Sequence, residues 1–139
     1  MENSLNFVFR PHGKFKVWIE NQFLLTEVTG PWNRELVDYW AQHALPLAKS
    51  FSSSLPYVAI TTVHESILCP PDALERIAQV VQYALKNLPC LGHAIVANDT
   101  VSGRDIVRFS YEKIQIEHIF ENIEQAKTWG KEVLDKAKR

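Results

Sequence analysis

The sequence predicts a single α/β domain with a mostly parallel sheet, in the order β-β-α-β-α-β-α-β-α. Two observations support this fold class. Short runs of strand-forming apolar residues alternate along the chain with longer segments whose apolar residues recur at helical spacing. Only a turn separates the first two runs, which indicates a hairpin. Strands separated by helices pair in parallel through right-handed crossovers, so we expect the first strand to be the antiparallel member of the sheet.

The hairpin and the first helix are read from the first third of the chain. Residues 15–20 alternate between apolar and other side chains, Asn21-Gln22 interrupts them, and strand-type residues resume at 23–28. Asn33 is a typical N-cap residue for a helix whose apolar positions continue to Phe51. Since proline removes a backbone donor, we expect Pro46 to kink or split that helix.

The rest of the chain repeats the alternation of strands and helices. Asp72 and Glu75 have the spacing of a capping box and predict a helix that Pro89 ends. The other predicted elements are a buried strand at 57–62, a strand at 91–97, a short helix at 100–111, a strand at 114–120 and a last helix capped by Asn122. We expect the domain to occupy residues 15–139, with residues 1–14 forming an N-terminal arm or an extra strand.

The composition excludes several classes of protein. A chain of 139 residues with 46% hydrophobic and 22% charged residues can bury a core and is neither disordered nor a coiled coil. A net charge of −1 gives no general attraction for nucleic acid or an anionic membrane. The apolar runs are too short for a membrane span, and residues 1–9 lack the pattern of a signal peptide. We therefore expect a soluble, cytoplasmic protein with reduced cysteines; the oligomeric state stays open.

The element order, the Gly30-Pro31 pair before an aromatic-rich helix, and the closing stretch from Phe120 to Trp129 resemble the bacterial SpoIIAA-like family. That family is related in fold to STAS domains and to the lipid-carrying CRAL-TRIO (SEC14) domains. The resemblance covers about residues 15–136. It implies a small non-enzymatic regulatory or binding module.

One part of the STAS pattern is missing here. In STAS antagonists, a serine or threonine at the start of the second helix is phosphorylated by a kinase. Pro70 and Pro71 precede the corresponding helix in this chain, and prolines offer no backbone N–H groups to hold a phosphate. Ser66 is the nearest hydroxyl, about six residues before the expected cap. We therefore expect the fold without a phosphoserine switch.

Topology indicates where a site should lie, because ligands of open α/β sheets bind outside the carboxyl ends of the parallel strands. The residues near those ends include an aromatic ring, an imidazole, carboxylates and a cation. They are Trp32, Thr62, His64, Glu65, Asn98, Asp99 and Arg104. We expect them to bind a protein partner or a small apolar or anionic ligand. The same side chains also suit caps, turns and solvated loops, and that interpretation stays open.

The alternative function is a small enzyme in which His64 and Glu65 act as acid and base. The chain lacks the motifs of dinucleotide-binding, P-loop, zincin and serine-hydrolase sites. His64 and His93 fall at opposite ends of neighbouring strands, too far apart to share a metal ion. We therefore assign no catalytic residue, no cofactor and no metal.

Overall fold

The computed structural model describes residues 14–116 and 118–138, which form an α/β structure around one five-stranded sheet. The strands are β1 (Lys14–Glu20), β2 (Phe23–Thr29), β3 (Tyr57–His64), β4 (Cys90–Val96) and β5 (His118–Phe120). The helices are α1 (Arg34–Ala48), α2 (Pro71–Asn87), α3 (Arg108–Lys113) and α4 (Ile123–Ala137). The predicted element order is therefore confirmed. The predicted N-terminal arm lies outside the described residues except for Lys14.

The order of the strands in the sheet is their order in the chain, β1-β2-β3-β4-β5. β1 pairs antiparallel with β2, and every later pair is parallel. This is the mostly parallel sheet with an antiparallel first strand that the sequence predicts. The parallel connections carry α1, α2 and α3, as parallel strands require a crossover.

Helices cover both faces of the sheet. α1 and α2 pack on one face, where Val28, Val63 and Ile95 join Leu36 and Ile77 in the largest apolar cluster. α4 packs on the other face in a second cluster, which contains Phe23, Leu25, Val58, Ile60, Val96, Ala126 and Leu134. Because strand residues alternate between faces, the central strands bury both sides, which explains the continuous apolar runs in the sequence.

A tight turn joins β1 to β2, and a close approach of two chain segments follows β2. Glu20 lies opposite Phe23, and Asn21 takes the left-handed conformation, with φ 56°, that asparagine tolerates. Gly30 precedes a cis peptide bond to Pro31. A side chain at position 30 would overlap the backbone carbonyl of Ser66, so glycine is needed where the ends of β2 and β3 meet.

The helix boundaries confirm two predicted caps and correct a third. Asn33 and Asn122 each accept a hydrogen bond from the backbone N–H three residues ahead. The capping box at Asp72 is wrong: α2 begins one residue earlier, its N-cap is Pro70, and no side chain caps it. Pro71, the first residue of α2, suits its position because the N–H that proline lacks would have no acceptor within the helix. Pro46 does not split α1 but lies in its last turn.

The predicted helix at 100–111 is the largest error in the fold. Only Arg108–Lys113 is helical, and residues 97–107 form an irregular segment. Ser102 lies in an isolated bridge with Ser66, in which its amide donates to the Glu65 carbonyl and its own carbonyl accepts from Ile67. Gly103 has φ 82°, outside the helical region. Backbone bonds to the end of β3 thus replace the helical bonds that the local pattern predicted.

Candidate functional site

The carboxyl ends of β2, β3 and β4 lie at one edge of the sheet, and the segment 97–107 crosses it. The register places Thr29 beside His64 and Thr62 beside Val96. The bridge between Ser66 and Ser102 then ties the chain after β3 to the chain after β4. The predicted site residues are therefore neighbours along this edge. Among the residues that the structure describes, no side-chain hydrogen bond or ion pair joins any two of them.

His64 pairs with a strand residue instead of its sequence neighbour. Its Nε2 atom lies 3.2 Å from Oε2 of Glu27, and both side chains are largely exposed. Glu65 has φ 70° and turns the chain out of β3, and its backbone carbonyl accepts from the Ser102 amide. Within the described part of the chain, its carboxylate has no ion-pair partner. The acid and base of the hypothesised enzyme are thus adjacent in sequence, but the imidazole lies against Glu27.

Asn98 and Asp99 form a turn after β4. Oδ1 of Asn98 accepts from the backbone N–H of Thr100, 3.0 Å away, and from the hydroxyl of the same residue. This local arrangement is an Asx turn, in which the side chain stabilises the backbone it belongs to. Both residues are exposed. Asn98 therefore stabilises a turn, which is the structural alternative that the sequence left open. Asp99 lines a shallow depression of about 210 Å³ with Arg104 and Ile106.

Arg104 links the irregular segment to the end of β5. Its Nη1 donates to Oε2 of Glu121 across 3.1 Å, and its side chain is only 17% exposed. Its Nε atom is buried and makes no hydrogen bond to a described residue. A buried guanidinium N–H without an acceptor is unfavourable, so a further acceptor, such as water, would stabilise this position. The predicted cation therefore tethers the segment 97–107 to the end of β5.

Trp32 is buried beneath the edge. It lines a small cavity of about 10 Å³ between α1, α2 and the sheet, a volume close to the minimum for one water molecule. The indole N–H is buried and has no hydrogen-bond partner among the described residues. Burial raises the pKa of the nearby Cys69 thiol and of the Tyr111 hydroxyl.

Polar side chains in the middle of the sheet separate this cavity from a second one. Nε2 of His93 lies 2.9 Å from the Thr61 hydroxyl, and Nε1 of Trp40 donates to the Thr26 hydroxyl across 2.9 Å. His93 and Trp40 line both the first cavity and a neighbouring one of about 30 Å³. Burial lowers the pKa of His93 to about 4, so the imidazole is neutral at pH 7. These groups are not recognisable from the sequence, because Thr26, Thr61 and His93 lie within strands, and Trp40 on a helix face, that have the pattern of core residues.

Three exposed apolar side chains lie on the segments that follow β3 and β4. Ile106 is 78% exposed and Phe109 is 65% exposed, and Leu68, against which Gly103 packs, is 41% exposed. We call Leu68, Ile106 and Phe109 the apolar patch. Sequence reasoning missed it because the predicted helix at 100–111 would place Ile106 and Phe109 three residues apart on one helix face, an arrangement typical of core packing. The available signal was Gly103, because a glycine within the predicted helix indicates a turn, and apolar side chains beside a turn can be exposed.

The described residues offer no evident metal site and no membrane span. No group of three or more histidine, cysteine, aspartate or glutamate side chains within 14–116 and 118–138 could hold a metal ion. His93 lies beside Ala59, five residues from His64 along β3, which puts the two imidazoles roughly 16 Å apart. Cys69 and Cys90 are free thiols. No helix in the described ranges is long and apolar enough to cross a membrane.

Comparison with known proteins assigns this chain to no family. No family model, no curated protein and no solved structure matches the chain.

Proposed function

We propose that this protein is a non-enzymatic binding module that docks a protein partner at the carboxyl end of its sheet. The observation that carries the proposal is the exposure of Ile106 and Phe109, the two most exposed large apolar side chains among the described residues. Water contact with two such side chains is unfavourable, and covering them would contribute about 25 cal/mol for each Å² of apolar surface buried.

The surroundings of the apolar patch suit a protein partner better than a charged ligand. Asp99, Arg104 and Asp105 line one depression with Ile106, and Nζ of Lys113 lies 4.6 Å from the centre of the Phe109 ring, so both signs of charge lie beside the patch. An apolar centre with a polar rim is the usual composition of a protein–protein interface. The predicted site residues Asp99 and Arg104 would then belong to the rim, where single contacts contribute little energy.

The test replaces the two most exposed residues of the apolar patch and leaves the core residues unchanged. In Ile106→Ser/Phe109→Ser, the fold should be retained because both side chains project into solvent. Leu55→Ser is the matched control, since Leu55 is 50% exposed and lies before β3 at the opposite end of the sheet. A photo-crosslinking amino acid at position 109 or 55, used in extract of the source cells, would identify a partner, and calorimetry with the purified partner would measure affinity.

We expect a partner that crosslinks from position 109 and not from position 55, with binding weakened at least about ten-fold in the double serine variant. Leu55→Ser should bind as the wild type does. Equal crosslinking from both positions, or an affinity that the double variant leaves unchanged, would contradict the proposal.

The cavity beside Trp32 supports a second candidate function, the binding of a small apolar molecule that carries a hydrogen-bond acceptor. Its wall is almost entirely apolar and contains the Trp32 indole N–H, which has no hydrogen-bond partner among the described residues. Trp40 and His93 stand between the two cavities, so a ligand larger than water requires Trp40 to turn away.

A small ketone such as cyclopentanone tests the second candidate. It should raise the melting temperature of the wild type, because the ketone oxygen can accept the Trp32 N–H. Trp32→Phe keeps the ring and removes the donor, and should lose most of that increase. Equal increases in both proteins, or none in the wild type, would contradict ligand binding in this cavity.

Relationship to the SpoIIAA-like family is also a proposal. The antiparallel hairpin followed by parallel strands and the Gly30-Pro31 pair before α1 support it. Ser66 supports the expected absence of a phosphoserine switch, since it is buried and its hydroxyl oxygen accepts the Leu68 amide across 3.2 Å. A kinase would have to displace this bond to reach the hydroxyl.

A further inference from the structure

The backbone hydrogen bonds at the two ends of β2 show which of its residues bond to β3. The carbonyl of Gln22 accepts from the Val58 amide, and the amide of Gly30 donates to the His64 carbonyl. Successive residues of a strand direct their backbone groups to opposite sides. The even-numbered residues from 22 to 30 therefore form their backbone hydrogen bonds to β3. The odd-numbered residues of β2 form theirs to β1.

The register of the hairpin then identifies the residues of β1 that face outward. Glu20 lies opposite Phe23 and Trp18 lies opposite Leu25, so the even-numbered residues of β1 bond to β2. The N–H and C=O groups of 15, 17 and 19 point away from the sheet. β1 is the terminal strand among the described residues, and it has seven residues without a proline or a register shift. Such an edge is a template for another strand.

The side chains of β1 are complementary to those of a second copy in one antiparallel register. With a two-fold axis at Val17, Phe15 of each copy lies opposite Ile19 of the other copy, and these outward-facing residues form the hydrogen-bonded pairs. Lys14 then lies opposite Glu20 in a non-hydrogen-bonded pair, where side chains approach most closely. The symmetry makes each of these pairs twice.

Other arrangements of the same two strands are less complementary. An antiparallel register shifted by two residues pairs fewer residues: centred on Trp18 it places Lys16 opposite Glu20 but leaves Lys14 outside the β1 pairing, and centred on Lys16 it places that lysine opposite its own copy. A parallel pairing in register places each lysine beside its own copy, which is repulsive. In the register centred on Val17, Lys16 lies opposite Trp18, which is 40% exposed and can receive a cation on its ring.

The Glu20 carboxylate can bind the lysine of a second copy while it binds Lys127. Its Oε2 atom accepts from Nζ of Lys127 at 2.7 Å, and its side chain remains 45% exposed. A carboxylate accepts several hydrogen bonds, so one cation from α4 and one from a second copy fit the same group.

We infer that this chain forms a two-fold symmetric homodimer in which the β1 strands of two copies pair antiparallel about Val17. The two five-stranded sheets then become one continuous sheet. This surface lies on the hairpin and is separate from the apolar patch of the proposed function, so either inference can fail alone.

Charge variants of the full chain test the register. Sedimentation equilibrium should give twice the 16.0 kDa chain mass for the wild type. Lys14→Glu and Glu20→Lys should each weaken self-association by about ten-fold, because each makes two like-charge pairs in the dimer. Mixed in equal amounts, the two variants should recover dimer of wild-type affinity, because every 14–20 pair then joins opposite charges.

A backbone variant tests the axis. Val17→Pro removes an N–H group that β2 does not use, so it should leave the hairpin folded and abolish the dimer. In the wild type, the amides of 15, 17 and 19 should exchange more slowly with deuterium as the protein concentration rises.

Three results would overturn the inference. The first is a wild-type protein that stays monomeric at all concentrations. If the amides of 15, 17 and 19 are protected in that monomer, the interpretation is that residues 1–13 pair with β1 in place of a second copy. A dimer unaffected by the proline variant is the second. The third is a mixture of the charge variants that associates no better than either one alone.

Discussion

The pKa of His93 differs between the folded and the unfolded chain. Burial lowers its pKa from 6.5 to about 4, so between these values the unfolded chain binds a proton that the folded chain does not. Stability therefore falls as the pH decreases from 6.5 to 4, and His93 contributes about 3 kcal/mol to that loss. Denaturant unfolding at a series of pH values measures it.

Substitution separates the contribution of His93 from that of other groups. His93→Gln should flatten the dependence of the unfolding free energy on pH between 4 and 6.5, even where it lowers stability overall. A slope that His93→Gln does not change would show that the buried imidazole is not the group responsible.

Among the described glycines, Gly30 has the closest backbone atom in the path of an added carbon. In Gly30→Ala, the new Cβ would overlap the Ser66 carbonyl, and backbone on both sides leaves little room to move. We expect a loss of stability of at least about 2 kcal/mol or a failure to fold. Gly92→Ala is the control, because its Cβ would meet only the tip of the Trp129 ring at 3.2 Å. Similar melting temperatures for the two variants would contradict this.

Among the candidate site residues, sequence could predict position along the sheet but not burial or partners. Parallel strands have their carboxyl ends at the same end of the sheet, so the element order alone places His64, the last residue of β3, at that end. Its partner Glu27 is distant in the chain, and only the three-dimensional pairing of β2 with β3 brings them together. Trp32 was predicted as an edge residue, whereas the packing of α1 and α2 buries it over a cavity.

The helix α2 illustrates an element whose buried face is readable from spacing alone. Ile77 and Val81 are four residues apart and are buried against the sheet, as predicted. Ile77→Ala and Val81→Ala should each cost about 1 to 4 kcal/mol through lost burial and an added cavity. Tyr83→Ala, on the exposed face of the same helix, should change stability by no more than about 0.5 kcal/mol. Equal effects in chemical denaturation would mean that the helical face is wrong.

Elements that depend on distant bonds were the ones that sequence reasoning could not place. Asn33 caps α1 through an atom three residues away, and such local chemistry is visible in the sequence. The segment 97–107 follows instead from the bridge of Ser102 to Ser66 and from the conformation of Gly103. No local pattern contains the bridge, since its partners belong to different crossovers of the sheet.

At the scale of the whole molecule, α4 is the described helix that packs on the second face of the sheet. α4 contributes Ala126 and Leu134 to the cluster that buries Phe23 and Ile60. We expect a chain that lacks residues 122–139 to bind a hydrophobic dye strongly and to form a loosely packed state. Lys131→Ala, which changes only the outer surface of α4, should bind no more dye than the wild type. A truncated chain that stays compact and dye-free would contradict this account.

The position of α4 after β5 affects the order in which a ribosome would deliver the parts of this fold. Each strand emerges beside a neighbour that is already present, and α1 and α2 emerge in time to shield the first face. The second face has no cover until translation has passed the whole sheet. During that interval a nascent chain exposes the side chains that α4 later buries, which is the kind of surface that chaperones bind. Pausing of translation before residue 122 should therefore favour aggregation, whereas pausing within residues 30–60 should have little effect.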